Sequence, residues 1–278
     1  MGDGAEKKNK LKGLGTRVLT GAALAVVLVA TAIPGGWFWF GLVVLLSAVG
    51  LWEFYRLNGI EKKPVGIIGY LLAAAYLAVL AFDKPDFMFP VLVLGVIVLM
   101  SVFCLNFEKT SDKEAIAACF GVFYPVVLFS YLYRIRMMED GLWLVILVFI
   151  AAFGSDIFAY FVGSLLGKHK LAPVLSPKKS IEGAVGGVVI TAGIGALFGL
   201  LMQGEMTVFP KPVLGCALTA FGGAVISIFG DLTASAFKRK CGVKDYSAVL
   251  PGHGGVLDRF DSVLFTAPVI FYLAKLFL

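Results

Sequence analysis

Apolar runs of about 17–25 residues recur nine times along this chain, each long enough to cross roughly 30 Å of hydrocarbon as a helix. They fall near 18–33, 36–56, 66–82, 87–105, 115–134, 142–166, 182–202, 211–236 and 262–278. The last is the weakest, with Lys275 near its end. Turn-forming groups separate the runs: Pro34-Gly35-Gly36, Asn58-Gly59, Lys84-Pro85-Asp86, Asp140-Gly141 and Gln203-Gly204. The runs are continuous rather than alternating, so the chain reads as an all-α polytopic membrane protein and not as a barrel. At 59% hydrophobic and 15% charged, it holds more apolar surface than a soluble domain of 278 residues could hide.

Charge then sets the expected topology. With the N-terminus in the cytoplasm, segments 1–17, 56–65, 106–114, 167–181 and 237–261 share one side and carry 19 of the 24 Lys and Arg residues. Lys84, Arg134, Arg136, Lys211 and Lys275 fall opposite. This is the positive-inside pattern, and it accounts for the net charge of +6 without nucleic acid as a partner. The expected organisation is a basic cytoplasmic tail (1–17), about five N-terminal spans (18–134), and a catalytic region of about four spans (142–278). The long cytoplasmic loops 167–181 and 237–261 belong to the last. Residues 7–33 imitate a cleavable signal, but the later charge bias is satisfied with the first helix retained. MGDGAEKKNK at the start reads as a disordered tail. Cys104, Cys119, Cys216 and Cys241 show no CxxC spacing, which argues against a disulfide framework or a zinc site.

Chemistry concentrates in residues 227–261. Asp231, Asp245, Asp258 and Asp261 crowd there with Lys238, Arg239, Lys240, Lys244 and Arg259, between two apolar runs. Charge beside a bilayer demands a partner or a purpose. Asp231, Ser235 and Lys238 share one face of the eighth span, with Asp231 about 9 Å inside from Phe237. Asp258 and Asp261 share a face at the start of the ninth, continued by Ser262. One aspartate there could serve the helix dipole; two, facing Asp231, suggest a hard-cation site suited to Mg²⁺. The turn Pro251-Gly252-His253-Gly254-Gly255 joins the cations to the aspartates and lets backbone N–H groups approach phosphate. His253 could contact phosphate or base, or cap the turn.

Two further places fit the same chemistry. Ser176-Pro177-Lys178-Lys179-Ser180 precedes the seventh span, where lysines, hydroxyls and a helix N-terminus receive anions. Lys168 and Lys170 read as topology only. Asp156, roughly 15 Å deep in the sixth span, would be costly if unpaired, which favours a functional or metal-coupled role. Glu53 and Arg56 read as an interfacial ion pair, and Trp37-Phe38-Trp39-Phe40 as an interface anchor.

The run Ser235-x-Phe237-Lys238-Arg239-x4-Lys244-Asp245-x-Ser247-x2-Leu250-Pro251-x-His253-Gly254-Gly255-Val256-x-Asp258-Arg259-Phe260-Asp261 resembles, at each specified position, the signature of CDP-diacylglycerol synthases, or phosphatidate cytidylyltransferases. Gly154-Ser155-Asp156 and Ser176-Pro177-Lys178-Lys179-Ser180, leading to Glu182-Gly183, are similar too. The first five spans resemble the family only in hydropathy, and Ser180-Ile181 stands where members often have Thr-Trp. The resemblance implies phosphatidate plus CTP giving CDP-diacylglycerol plus pyrophosphate. Asp231, Asp258 and Asp261 would then hold Mg²⁺, with a second, monovalent cation left open. Lys238, Arg239 and Asp156 would join the catalytic set. Lys178, Lys179, Ser180, Ser235, Lys244, His253, Gly254 and Gly255 would bind substrate phosphates. It also implies a homodimer; the short loops suit a bacterial inner membrane, and the charge bias puts the site on the cytoplasmic side.

Rival readings are a CTP-dependent polyprenol or phytol kinase and, further off, an ion-coupled transporter. The Asp-x2-Asp-Gly-x2-Ala-Arg core of CDP-alcohol phosphotransferases is absent from the sequence. Charge gathered at one rim, rather than at the midplane, weighs against a transporter.

Overall fold

The computed structural model describes residues 2–277, with side chains from Gly15 onward except Thr16. Met1 and Leu278, the outer ends of the expected tail and ninth span, lie outside the described residues. Nine helices follow one another: α1 (Gly2–Ala32), α2 (Gly36–Leu57), α3 (Pro64–Ala81), α4 (Pro85–Leu105), α5 (Asp112–Arg136), α6 (Gly141–Leu166), α7 (Ile181–Leu201), α8 (Pro212–Lys240) and α9 (Leu257–Lys275). Proline opens α3, α4 and α8, where its missing N–H costs nothing. Ser111 and Glu114 form a reciprocal capping box at the start of α5.

Both polar segments carry regular structure. In the structure α1 runs unbroken from Gly2 through the segment read as a tail, where Ala, Glu, Lys and Leu are good helix formers. The loop before α7 holds a short sheet. Strands β1 (Lys170–Ala172) and β2 (Ser176–Ser180) pair antiparallel, Lys170 opposite Ser180, in a small hairpin that feeds directly into α7.

Seven helices, α2 to α8, are long and apolar enough to cross a membrane among the described residues. In α1 the apolar part is only Arg17–Ala32. Helix α9 opens with Asp258, Arg259 and Asp261 yet is buried along most of its length. It can carry charge because α5, α6 and α8 wrap it, so protein and not lipid surrounds its carboxylates. At the other extreme, α4 buries only Leu99 and faces outward.

Small residues let the catalytic-side helices approach. A Cβ on Gly187 of α7 would stand 2.8 Å from the Ser155 carbonyl oxygen of α6, and one on Gly230 of α8 would stand 2.5 Å from that of Asp261. The N-terminal helices are bound in by aromatics: Phe54 of α2, Phe120 and Tyr124 of α5, and Phe237 of α8 have ring centroids within 5.8 Å of one another. Pro125 lacks an N–H for the helical ladder, and α5 widens into a π-turn over Val122–Val127 around it. Trp39 departs from the interface-anchor reading. It is fully buried and donates Nε1–H to the Leu132 carbonyl at 2.9 Å, whereas Trp37 and Phe38 stay exposed.

The two arginines that break the charge bias have structural partners. Arg136 donates to the Ala32 and Ile33 carbonyls at the end of α1, and Arg134 stacks on Tyr131 and Phe271. All four cysteines are free.

Substituting Gly187→Leu should push α7 off α6 and lower stability by about 1–3 kcal/mol. Thermal unfolding in detergent should show a lower midpoint; an unchanged one would mean that the close approach is dispensable.

Candidate active site

Four carboxylates converge from three helices. Asp156 comes from α6, Asp231 from α8, and Asp258 and Asp261 from the first two turns of α9. Lys179, at the end of β2, reaches across to them. Its Nζ forms an ion pair with Asp231 Oδ2 and lies 3.9 Å from Asp156 Oδ1. Asp156 also accepts a hydrogen bond from Ser262 Oγ at 2.8 Å, so the deep carboxylate of α6 is not unpaired. Ser235 Oγ sits 3.4 Å from Asp231 Oδ1, one helical turn away on the expected face.

Asp258 has other partners. Its Oδ1 meets Lys238 Nζ at 2.7 Å, and its Oδ2 accepts from the Tyr246 and Gly255 N–H groups at 2.8 and 2.9 Å. Lys238 also lies over the Tyr246 ring, 5.5 Å from its centroid. Burial pushes the Tyr246 hydroxyl pKa well up, which keeps it a neutral phenol. Asp261 is 8% exposed and accepts from the Ser262 N–H at 2.8 Å. Asp231, Asp156 and Lys238 are its charged neighbours. The two aspartates expected to act together on one face of α9 thus divide: Asp258 locks Lys238 and the loop, while Asp261 faces the Asp156–Asp231 pair.

A cavity of about 340 Å³ opens beside this pair. Asp156, Asp231, Lys178 and Lys179 supply its polar wall, and Tyr160 and Ile228 lie on its apolar side. It suits an amphiphile carrying an anionic group. Ser180 borders it too, but its hydroxyl is also the N-cap of α7, accepting from the Gly183 N–H at 3.2 Å.

The other expected phosphate ligands lie elsewhere. Lys244, His253 and Gly254 line a second cavity on the glycine turn. Arg239 is exposed and donates to the Val243 carbonyl at 3.4 Å, outside both cavities.

Among the described residues, no three acidic, histidine or cysteine side chains form a ready ligand cage. The donor set of Asp156, Asp231 and Asp261 is nonetheless all oxygen, the chemistry a hard cation requires. The Lys179 ammonium lies where positive charge between two of them is needed. The residues present fit a divalent cation in chemistry.

The sequence profile of the cytidylyltransferase family matches residues 15–277. The chain belongs to this family. It is 33% identical to the phosphatidate cytidylyltransferase of Bacillus subtilis (strain 168) over 267 residues, covering 94% of this chain and 97% of that protein. It is 31% identical over 259 residues to the enzymes of that name from Staphylococcus saprophyticus and from Staphylococcus aureus (strain COL), covering 91% of this chain and 96% of each.

One residue of this cytidylyltransferase site was misread in the sequence. Glu53 of α2 forms no ion pair with Arg56, which instead lies over Trp52. Its fully buried carboxylate accepts from Ser247 Oγ at 2.5 Å and from the Val256 and Leu257 N–H groups at 2.9 and 2.8 Å. It therefore caps α9 from another helix and ties down the signature loop. Gly255 has no side chain because Glu53 occupies that space. A lone acid inside an apolar run was the available signal. A second carboxylate, Glu182, accepts from the Lys168 and His169 N–H groups and lies 2.6 Å from His169 Nδ1, closing the base of the β-hairpin.

Glu53→Ala should cost roughly 2–4 kcal/mol, since it strands two buried N–H groups and a hydroxyl. Thermal unfolding of the purified variant measures this, and a loss under about 0.5 kcal/mol, the scale of a neutral surface change, would refute the latch. Lys179→Ala should cut turnover about a hundredfold or more without lowering expression, because it leaves two carboxylates facing the substrate anion uncompensated.

Proposed function

We propose that this chain transfers the cytidylyl group of CTP to phosphatidate, giving CDP-diacylglycerol and pyrophosphate. The supporting observation is the gathering of Asp156, Asp231 and Asp261 with Lys179 and Lys238 beside a largely apolar cavity, in a chain of the cytidylyltransferase family. Phosphatidate is an anion with two acyl chains. The cavity offers Lys178 and Lys179 to its phosphate and the Tyr160 and Ile228 side to its tails.

The reaction forms a bond from a lipid phosphate oxygen to the α-phosphorus of CTP and breaks the bond from that phosphorus to the bridging oxygen. The electron pair leaves with pyrophosphate. The nucleophile is already an anion, so no general base is needed. The difficulty is bringing an anion to a polyanion. Lys179 and Lys238 are held by aspartates in fixed positions, which preorganises positive charge for the transition state. Mg²⁺ bound through Asp231 and Asp261, with Asp156 beside them, would add neutralisation of the triphosphate. Asp258 supports the site by holding Lys238.

The basic loops, β-hairpin and signature turn face the cytoplasm in this reading, where CTP is available. The apolar helices remain in a bacterial plasma membrane, and the chain acts as a homodimer.

Purified protein with phosphatidate, MgCl₂ and labelled CTP should move α-label into lipid and γ-label into pyrophosphate. γ-label in lipid would reject the reading in favour of a kinase. EDTA should abolish turnover and excess MgCl₂ restore it; full activity in EDTA would remove the metal. Asp261→Asn should lower turnover by about a hundredfold or more while the protein stays folded.

A further inference from the structure

The second cavity holds about 580 Å³ and lies on the glycine turn, sharing no lining residue with the first. Three cations border it, Arg17, Lys244 and Arg259, against one carboxylate, Asp245. Among the described residues, none of the three is ion-paired. Arg259 is already oriented: its Nε donates to the His253 carbonyl at 2.8 Å, which leaves the two terminal nitrogens of the guanidinium for a ligand.

The turn is shaped for an anion. Gly252 and Gly254 have φ of 75° and 84°, a region other residues rarely occupy; Gly254 pairs with Leu250 in an isolated β-bridge, and the Gly252 N–H enters no backbone hydrogen bond among the described residues. His253 Nδ1 is buried without a protein partner.

Helix α1 lies directly on this turn. Thr20 Oγ1 donates to the Pro251 carbonyl at 3.1 Å. Gly21 lies against the His253 ring, where a Cβ would stand 3.6 Å from Nε2. Arg17 Cγ stands 3.0 Å from where a Gly252 Cβ would be. Residues 17, 20 and 21 share one helical face, so the contact fixes the arginine over the cavity.

We propose that Arg17 binds the triphosphate of CTP, completing with Lys244, Arg259 and the glycine turn a nucleotide-phosphate pocket distinct from the cavity that takes the lipid phosphate. This rests on the cytidylyl-transfer reading. Asp258 connects the two sites: it accepts from the Gly255 N–H at the turn and holds Lys238, whose other carboxylate neighbour is Asp261. The pyrophosphate end of CTP lies with the three cations, and the phosphorus under attack lies toward Lys238.

The test is steady-state kinetics of full-length Arg17→Gln and Arg17→Lys, varying CTP and phosphatidate separately. Arg17→Gln should raise the KM for CTP about 10–100-fold, the loss of one charge-assisted contact. It should weaken product inhibition by pyrophosphate to the same degree and leave the KM for phosphatidate within about twofold; Arg17→Lys should recover part of the loss. Because Arg17 is exposed, a folding defect is not expected. An unchanged response to CTP and pyrophosphate, or an effect on phosphatidate alone, overturns the proposal while wild-type turnover leaves the function standing. A wild-type protein that cannot transfer the α-label sinks both.

Discussion

A carboxylate removed from water must be given hydrogen bonds or a counter-charge, at a cost of several kcal/mol if it is not. This bundle buries or half-buries five of them at one membrane face, and much of its architecture answers that demand. Glu53 receives two backbone N–H groups and a hydroxyl, and Asp258 receives two N–H groups and Lys238. Asp231 receives Lys179, with Asp156 beside it. Asp261 has Asp231 and Asp156 as like-charged neighbours and, unlike them, no contact with Lys179; Lys238 is the cation nearby. Most of these groups are neutralised by protein; the remaining imbalance lies where the substrate and a cation would meet.

The same requirement explains why α9 can begin with two aspartates. Its first turn is not a membrane surface but the centre of a protein bundle, capped from outside its own sequence by Glu53. Burial also keeps the flanking groups in fixed rotamers, so Lys238 cannot swing away from Asp258. Rigid placement of charge is what phosphoryl chemistry asks of a protein, because the reacting groups need electrostatics and alignment rather than an added base.

The N-terminal helices are part of this machinery, although their hydropathy alone gives no hint of it. Glu53 holds the signature loop from α2, Thr20 and Gly21 hold the glycine turn from α1, and the Phe54–Phe120–Tyr124–Phe237 cluster locks α2, α5 and α8 into one body beneath the site. Loss of these contacts would loosen the loop without touching a catalytic side chain. The small β-hairpin plays the matching part on the other side, delivering Lys179 from a strand that runs into α7 at the hairpin's base, where Glu182 of α7 also holds the Lys168 and His169 N–H groups.

Hydrophobic run length marked the nine helices and, apart from the starts of α1 at Gly2 and of α9 at Leu257, their limits within a few residues, because crossing hydrocarbon admits few alternatives. The clustering of Asp231, Lys238, Asp258 and Asp261 in one short stretch marked the site, since such charge is intolerable beside lipid without a use. Pairing was not legible. Helical spacing allowed Asp231 to meet Lys238, yet Lys179 took Asp231 and Asp258 took Lys238, a choice made by how α6, α8, α9 and the hairpin pack. Nor could the sequence show that Glu53 reaches residues two hundred positions away, or that Arg17 lies on the turn at 252. Local periodicity is encoded in a few adjacent residues, whereas partners across helices depend on side-chain packing summed over the whole bundle, and only the tertiary structure decides it.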